Sequence, residues 1–170
     1  MEQPVKKGDQ GATSALDDPR LKKLGKKRKV QGNRHKAREL ILQALYQSDI
    51  SGDDIQNAVQ QLCTENSGGR ADLVYFKRIS VGLWSRLKEL DEWIEKTAIN
   101  WTTQRISTID RSILRLGIYE LLAEEDLPSR VIINEAIELS KRFGGKGSRS
   151  FVNGMMDRLA SEIRSQPIAP

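Results

Sequence analysis

A chain of 170 residues with 38% hydrophobic, 5% aromatic and 30% charged content has the size and make-up of one globular domain plus a tail, not of two large domains. No stretch reaches the roughly 18 uncharged apolar residues that a membrane-spanning helix requires, and residues 1–30 hold no apolar block of signal-peptide type. One cysteine, Cys63, excludes an internal disulfide, and one histidine, His35, cannot build a His/Cys metal cage with it. A reducing, cytoplasmic setting without metal or cofactor is the expectation.

The charge is placed unevenly. Residues 1–38 hold 12 Lys/Arg against 4 Asp/Glu, a net of +8, while residues 39–170 hold 16 against 19, a net of −3. From Arg20 to Arg38 no acid interrupts the cations, a field that attracts polyanions, nucleic acid above all. The plainer reading is a solvated tail that aids solubility. Residues 1–32 carry scattered Gly and Pro, few apolar residues and no periodicity, so ordering them costs more entropy than burial returns. They are expected to form a disordered, mobile basic arm.

Helical patterning begins near Arg34. Ala37, Leu40, Ile41, Ala44 and Leu45 recur at three-to-four-residue spacing, one face of a helix ending about Asp49. Ser51 or Gly52 is expected to cap a short second helix, DDIQNAVQQLCTE, with acids in its first turn and Ile55, Val59 and Leu62 on one side. From Arg70 to Ile99 a long stripe of Leu73, Phe76, Leu83, Leu87, Leu90 and Ile94, with Ser80 in register, marks helix-on-helix packing. It reads as one bent helix or two joined near Ser85, with a break expected. Ser107 and Asp110 form an S-x-x-D capping pattern ahead of RSILRLGIYELLAEE, whose apolar residues cover most of the circumference. That helix should lie at the centre of a bundle. Pro128 and Ser129 precede VIINEAIELSKRF, Gly144 and Gly145 stop it, and Ser148 caps a last helix with Phe151, Val152, Met155 and Leu159 on one face. No convincing strand pattern occurs, so the fold class is all-α: a single compact helical bundle over residues 33–164, followed by a short tail at 165–170.

Catalytic constellations are missing. His35 has no partner acid or nucleophile in the pattern and sits in the basic stretch, where phosphate contact or solvation suits it better. Cys63 reads as a small packing residue at a helix edge. The GGKGS segment from Gly144 to Ser148 fails the spacing of a phosphate-binding loop and follows a helix where that motif demands a strand. The candidate chemistry is binding. Arg34 and Arg38, four apart, lie along one helical stripe and could straddle adjacent phosphates of a single strand. Lys141, Arg142, Lys146 and Arg149 flank a Gly-rich turn with Phe143 beside it, and an aromatic among cations suits unstacked bases. Periodicity alone, however, puts Phe143 with Ile132, Ala136 and Leu139 on the apolar face and reads it as core.

The string VIINEAIELSKRFGGKGSRSFVNGMMDRL, preceded by NWTTQRISTIDRSILRLGIYELL and by RHKARELILQALYQ, resembles the NusB transcription antitermination family over roughly residues 34–160. The resemblance implies a domain of about seven helices, without bond-making chemistry, that binds the boxA element of ribosomal RNA transcripts. It implies as partners the NusE ribosomal protein and the transcribing RNA polymerase complex. The family's arginine-rich start of helix one falls on Arg34, His35, Lys36 and Arg38. Its RNA-contacting aromatic falls on Phe143, with Lys141, Arg142, Ser148 and Arg149 nearby, which overrules the core reading of that ring. Its protein-partner surface falls on Tyr46 and Asp110, whose plain readings are a half-buried tyrosine and a helix cap.

Two departures from the family pattern stand out: a longer basic arm before Asn33, and a lysine in the turn Gly144–Gly147. Extra phosphate contacts would strengthen binding to any RNA without distinguishing bases; alternatively, the arm reaches another part of the transcription complex. The rival reading is a helical protein-interaction adaptor with only non-specific RNA binding. A further one, the RNA-docking part of an RNA-modifying methyltransferase, is disfavoured by chain length. A homodimer is compatible with the pattern, and a membrane partner is not expected.

Overall fold

The computed structural model describes residues 19–99 and 105–165, with side chains from Asn33 onward. Seven helices account for the described residues: α1 (Pro19–Ser51), α2 (Ile55–Glu65), α3 (Leu73–Trp84), α4 (Leu87–Thr97), α5 (Thr108–Ala123), α6 (Ser129–Phe143) and α7 (Ser148–Ser165). The all-α expectation holds.

α1 opens on Pro19, whose fixed φ and missing N–H suit a first helical position. The helix therefore starts well before Arg34, which corrects the arm expectation for residues 19–32. No proline interrupts that stretch, and extending a helix whose far end is already packed requires no new nucleus. Residues 1–18 lie outside the described residues, as do the polar stretch 100–104 and the tail 166–170. At the other end, Gly52 takes a φ of +77° and its N–H donates to the Ser48 carbonyl at 2.9 Å, a left-handed residue closing the helix. The α2 cap is Asp54, whose carboxylate accepts from the Gln56 N–H at 2.8 Å, and not Ser51 or Gly52. The acids thus precede the first turn, where they still face the positive end of the helix dipole.

The 70–99 stripe forms two helices. Their break is at Ser85 and Arg86, where the Ser85 hydroxyl donates to the Gly82 carbonyl at 2.7 Å and offers the backbone a local alternative to helix. Ser107 caps α5, its hydroxyl accepting from the Asp110 N–H at 3.1 Å. From Ser112 to Leu121 every residue of α5 is buried, and the helix packs against α1, α3, α4, α6 and α7. α5 is therefore the axis of the bundle, as its all-round apolar pattern requires.

A Cβ would collide with a neighbour at Gly82, Gly117 and Gly144, and the last two shape how α7 packs. A Cβ on Gly117 would sit 2.5 Å from Met156 Cε, so the α5–α7 contact depends on its absence. A Cβ on Gly144 would sit 2.5 Å from Ser148 Cβ and 2.6 Å from the Ser140 carbonyl oxygen. Gly144, with φ −78°, thus ends α6 by letting α7 fold back tightly, while Gly147 supplies the positive φ, +85°, that turns the chain into α7. Near the end of α6, Arg142 reaches Glu39 in the middle of α1.

Candidate nucleic-acid interface

The first turns of α1 described with side chains and the middle and end of α6 meet through ion pairs between residues about a hundred apart in sequence. His35 Nδ1 lies 2.7 Å from Glu135 Oε2, and its Nε2 lies 3.3 Å from Glu39 Oε1. Lys36 Nζ is 2.8 Å from the other Glu39 oxygen. Arg142 crosses from α6 to pair with Glu39 as well, and its guanidinium stands 5.2 Å from the centre of the Phe143 ring. Phe143 is 40% exposed. As the last residue of α6, it lies past the point where the apolar stripe still faces neighbours, so its ring stays accessible although Ile132, Ala136 and Leu139 on the same stripe are buried. The core reading from periodicity is overturned.

The other cations spread outward from this centre. Lys141 pairs along α6 with Glu138 at 2.7 Å, and the ammonium holds the Glu138 carboxyl below its ordinary range. Lys146 and Arg149 are exposed on the turn and the start of α7. Arg34 is half-buried, its guanidinium 4.9 Å from the Tyr75 ring centre.

Three expected surface residues are interior. Arg38, on the same stripe as Arg34 but one turn deeper, is 2% exposed. Its Nε donates to Glu120 Oε1 at 2.8 Å, and Tyr75 and Glu135 close the site around it. A cation so enclosed cannot reach a phosphate, which corrects the expectation that Arg34 and Arg38 straddle a strand. Burial pushes the Glu120 carboxyl up to about 7 against the pull of Arg38, and the Tyr75 hydroxyl donates to it. Ser148 and Asp110 are likewise buried, and they bond to each other: the Ser148 hydroxyl donates to Asp110 Oδ2 at 3.0 Å. One was expected at RNA and the other at a protein partner. Instead the pair stitches the start of α7 to the start of α5. Tyr46, by contrast, is 43% exposed and lines the same cleft as Phe143, Arg142 and Glu39.

Sequence reasoning passed over Glu39, Tyr75, Glu120 and Glu135. Glu39 carried a signal, since it lies three and four residues after Lys36 and His35 on one helix face. Glu120, Glu135 and Tyr75 carried none, because each meets its cation only through the tertiary fold.

An all-helical bundle that gathers cations from two distant segments around an exposed aromatic ring defines a protein built to bind. The NusB family model matches residues 35–161, and the chain belongs to the NusB family. The family is one of non-enzymatic transcription antitermination factors. The chain is 38% identical over 131 residues to the transcription antitermination protein NusB of Dehalococcoides mccartyi, covering 77% of this chain and 92% of that protein. Among solved structures it resembles T. maritima NusB, with a TM-score of 0.70 and 34% identity over 76% of this chain and 91% of that one. It shares its fold with a structure of antitermination factors NusB and NusE in complex with dsRNA, TM-score 0.69 at 23% identity, covering 76% of this chain and 97% of the neighbour. No helix among the described residues is long and apolar enough to cross a membrane.

Proposed function

We propose that this protein is a cytoplasmic antitermination factor that binds single-stranded, boxA-type RNA of ribosomal RNA transcripts together with the NusE ribosomal protein, and acts on the transcribing RNA polymerase. The observation that carries this reading is the exposed Phe143 ring at the junction of α1 and α6, framed by Lys36, Arg142, Lys141 and His35. Lysine and arginine side chains meet phosphates, and the ring offers a face on which a base can stack without sequence-independent charge alone setting the affinity. Lys146 and Arg149 extend the cationic rim. Arg38 and Ser148 take no direct part: they hold the two elements in place from inside. Tyr46 is the residue proposed for the protein partner, and Asp110 supports that region from inside by accepting from Ser148 at the start of α7.

Titrating a short labelled boxA RNA and its scramble, with and without NusE, at two salt concentrations tests this. Sequence preference, strengthened by NusE, is the expected result. Equal affinity for both RNAs even with NusE present would instead favour the adaptor reading. That second reading has its own support in the exposed Tyr46 and Ile50 near the end of α1, an apolar surface suited to a protein partner or a second copy of the chain.

A further inference from the structure

Glu39 stands where a nucleic-acid surface would be expected to keep acids away. It is only 12% exposed, and its two oxygens meet Lys36, His35 and Arg142 at once. Lys36 and Arg142 themselves are about half exposed, so the cations face solvent while the carboxylate that ties them together stays behind. Isolated surface pairs contribute little, but one carboxylate shared by side chains from two helices, both packed against α5, forms a network.

We propose that Glu39 acts as an internal stand-in for phosphate, occupying Lys36 and Arg142 so that binding depends on the Phe143 ring more than on backbone charge. This rests on the RNA-binding reading above and deepens it. A phosphate reaching Lys36 or Arg142 must displace a carboxylate already within ion-pair distance, and Glu39, mostly buried at the wall of the cleft, has little water to turn into. The net gain from each phosphate contact is therefore small. Phosphate contacts carry no sequence information, whereas contacts to bases do, so discounting the first raises selectivity at the expense of affinity. Glu39 also positions Arg142 beside Phe143, with the guanidinium over one face of the ring, 5.2 Å from its centre, and the other face left to a base. Such a device answers the basic excess of residues 1–38, which otherwise favours any RNA equally.

The test compares wild type with Glu39→Gln and Glu39→Asp on boxA RNA and its scramble across a salt series, with thermal melts to confirm folding. Glu39→Gln frees two cations. It should tighten binding to scrambled RNA severalfold, steepen the log–log salt dependence by about 1.4, at ~0.7 per added phosphate contact, and lower the boxA-to-scramble ratio. Glu39→Asp keeps the charge near Lys36 but falls short of Arg142, so its slope should steepen by about half as much, ~0.7. It also carries the test if the glutamine variant fails to fold. An unchanged slope in the folded variants, or a steeper slope with an unchanged ratio, overturns the proposal. Wild-type protein that lacks any boxA preference overturns the proposed function instead, a result read without either variant.

Discussion

Replacing Arg38 by alanine separates a buried structural arginine from a phosphate contact. Arg38 is 2% exposed and Glu120 1%, their charged atoms 2.8 Å apart. Breaking a buried pair by removing one member costs about 3–5 kcal/mol when the survivor stays charged. Here the survivor has a way out, because burial already lifts the Glu120 carboxyl to about 7 and loss of the guanidinium lifts it further. Glu120 then takes up a proton, and the cost near pH 6 should stay at or below about 3 kcal/mol, a drop in melting temperature on the order of 10 °C. Above pH 7 the penalty should grow, approaching about 1.4 kcal/mol per pH unit, as the variant must hold a proton that the wild type has released. Urea unfolding at pH 6 and pH 8 measures both quantities, with RNA titrations well below the melting point alongside. The salt slope of RNA binding should not move. A slope lowered by ~0.7 with stability intact would show that Arg38 reaches phosphate and that the buried description of it is wrong.

Other measurements follow from the same structure. Phe143→Ala should weaken RNA binding by about 1–3 kcal/mol if a base stacks on the ring. With the side chain 40% exposed, melting temperature should change little, and a large stability loss with unchanged binding would return Phe143 to the core. In the wild type, the folded state binds more protons than the unfolded one between pH 4.5 and about 7 on account of Glu120. Its contribution therefore lowers unfolding free energy as pH rises through that window, and Glu120→Gln should remove this downward slope in urea midpoints against pH. Gly117→Ala forces a methyl group to within 2.5 Å of Met156 and should cost about 1–3 kcal/mol, a penalty that a paired Met156→Ala relieves in part in the same unfolding assay.

Much of the architecture was legible along the chain. Apolar residues three and four apart gave α1, α2 and α6 their buried faces, and the apolar residues of α5, spread over most of its circumference from Ile109 to Leu122, placed it on the axis before any neighbour was known. Ser107 announced its own helix start because a cap is a contact between residues three apart. Three strings in the order the family shows sufficed to suggest it, although no single one of them states where its side chains point.

Tertiary structure alone decided which charges face water. Arg34 and Arg38 share a stripe, and nothing local distinguishes them. The difference arises because Glu120 of α5 and Tyr75 of α3 close over the second, 82 and 37 residues away in sequence. Glu39 meets Arg142 across 103 residues, so the neutralising carboxylate at the interface is invisible to a count of charge by segment. Phe143 shows the converse: its spacing says interior, but it is the last residue of α6, and a helix end runs out of neighbours before it runs out of pattern. Periodicity encodes relations within one or two turns. The burial of a charge or a ring depends on what distant segments bring to it.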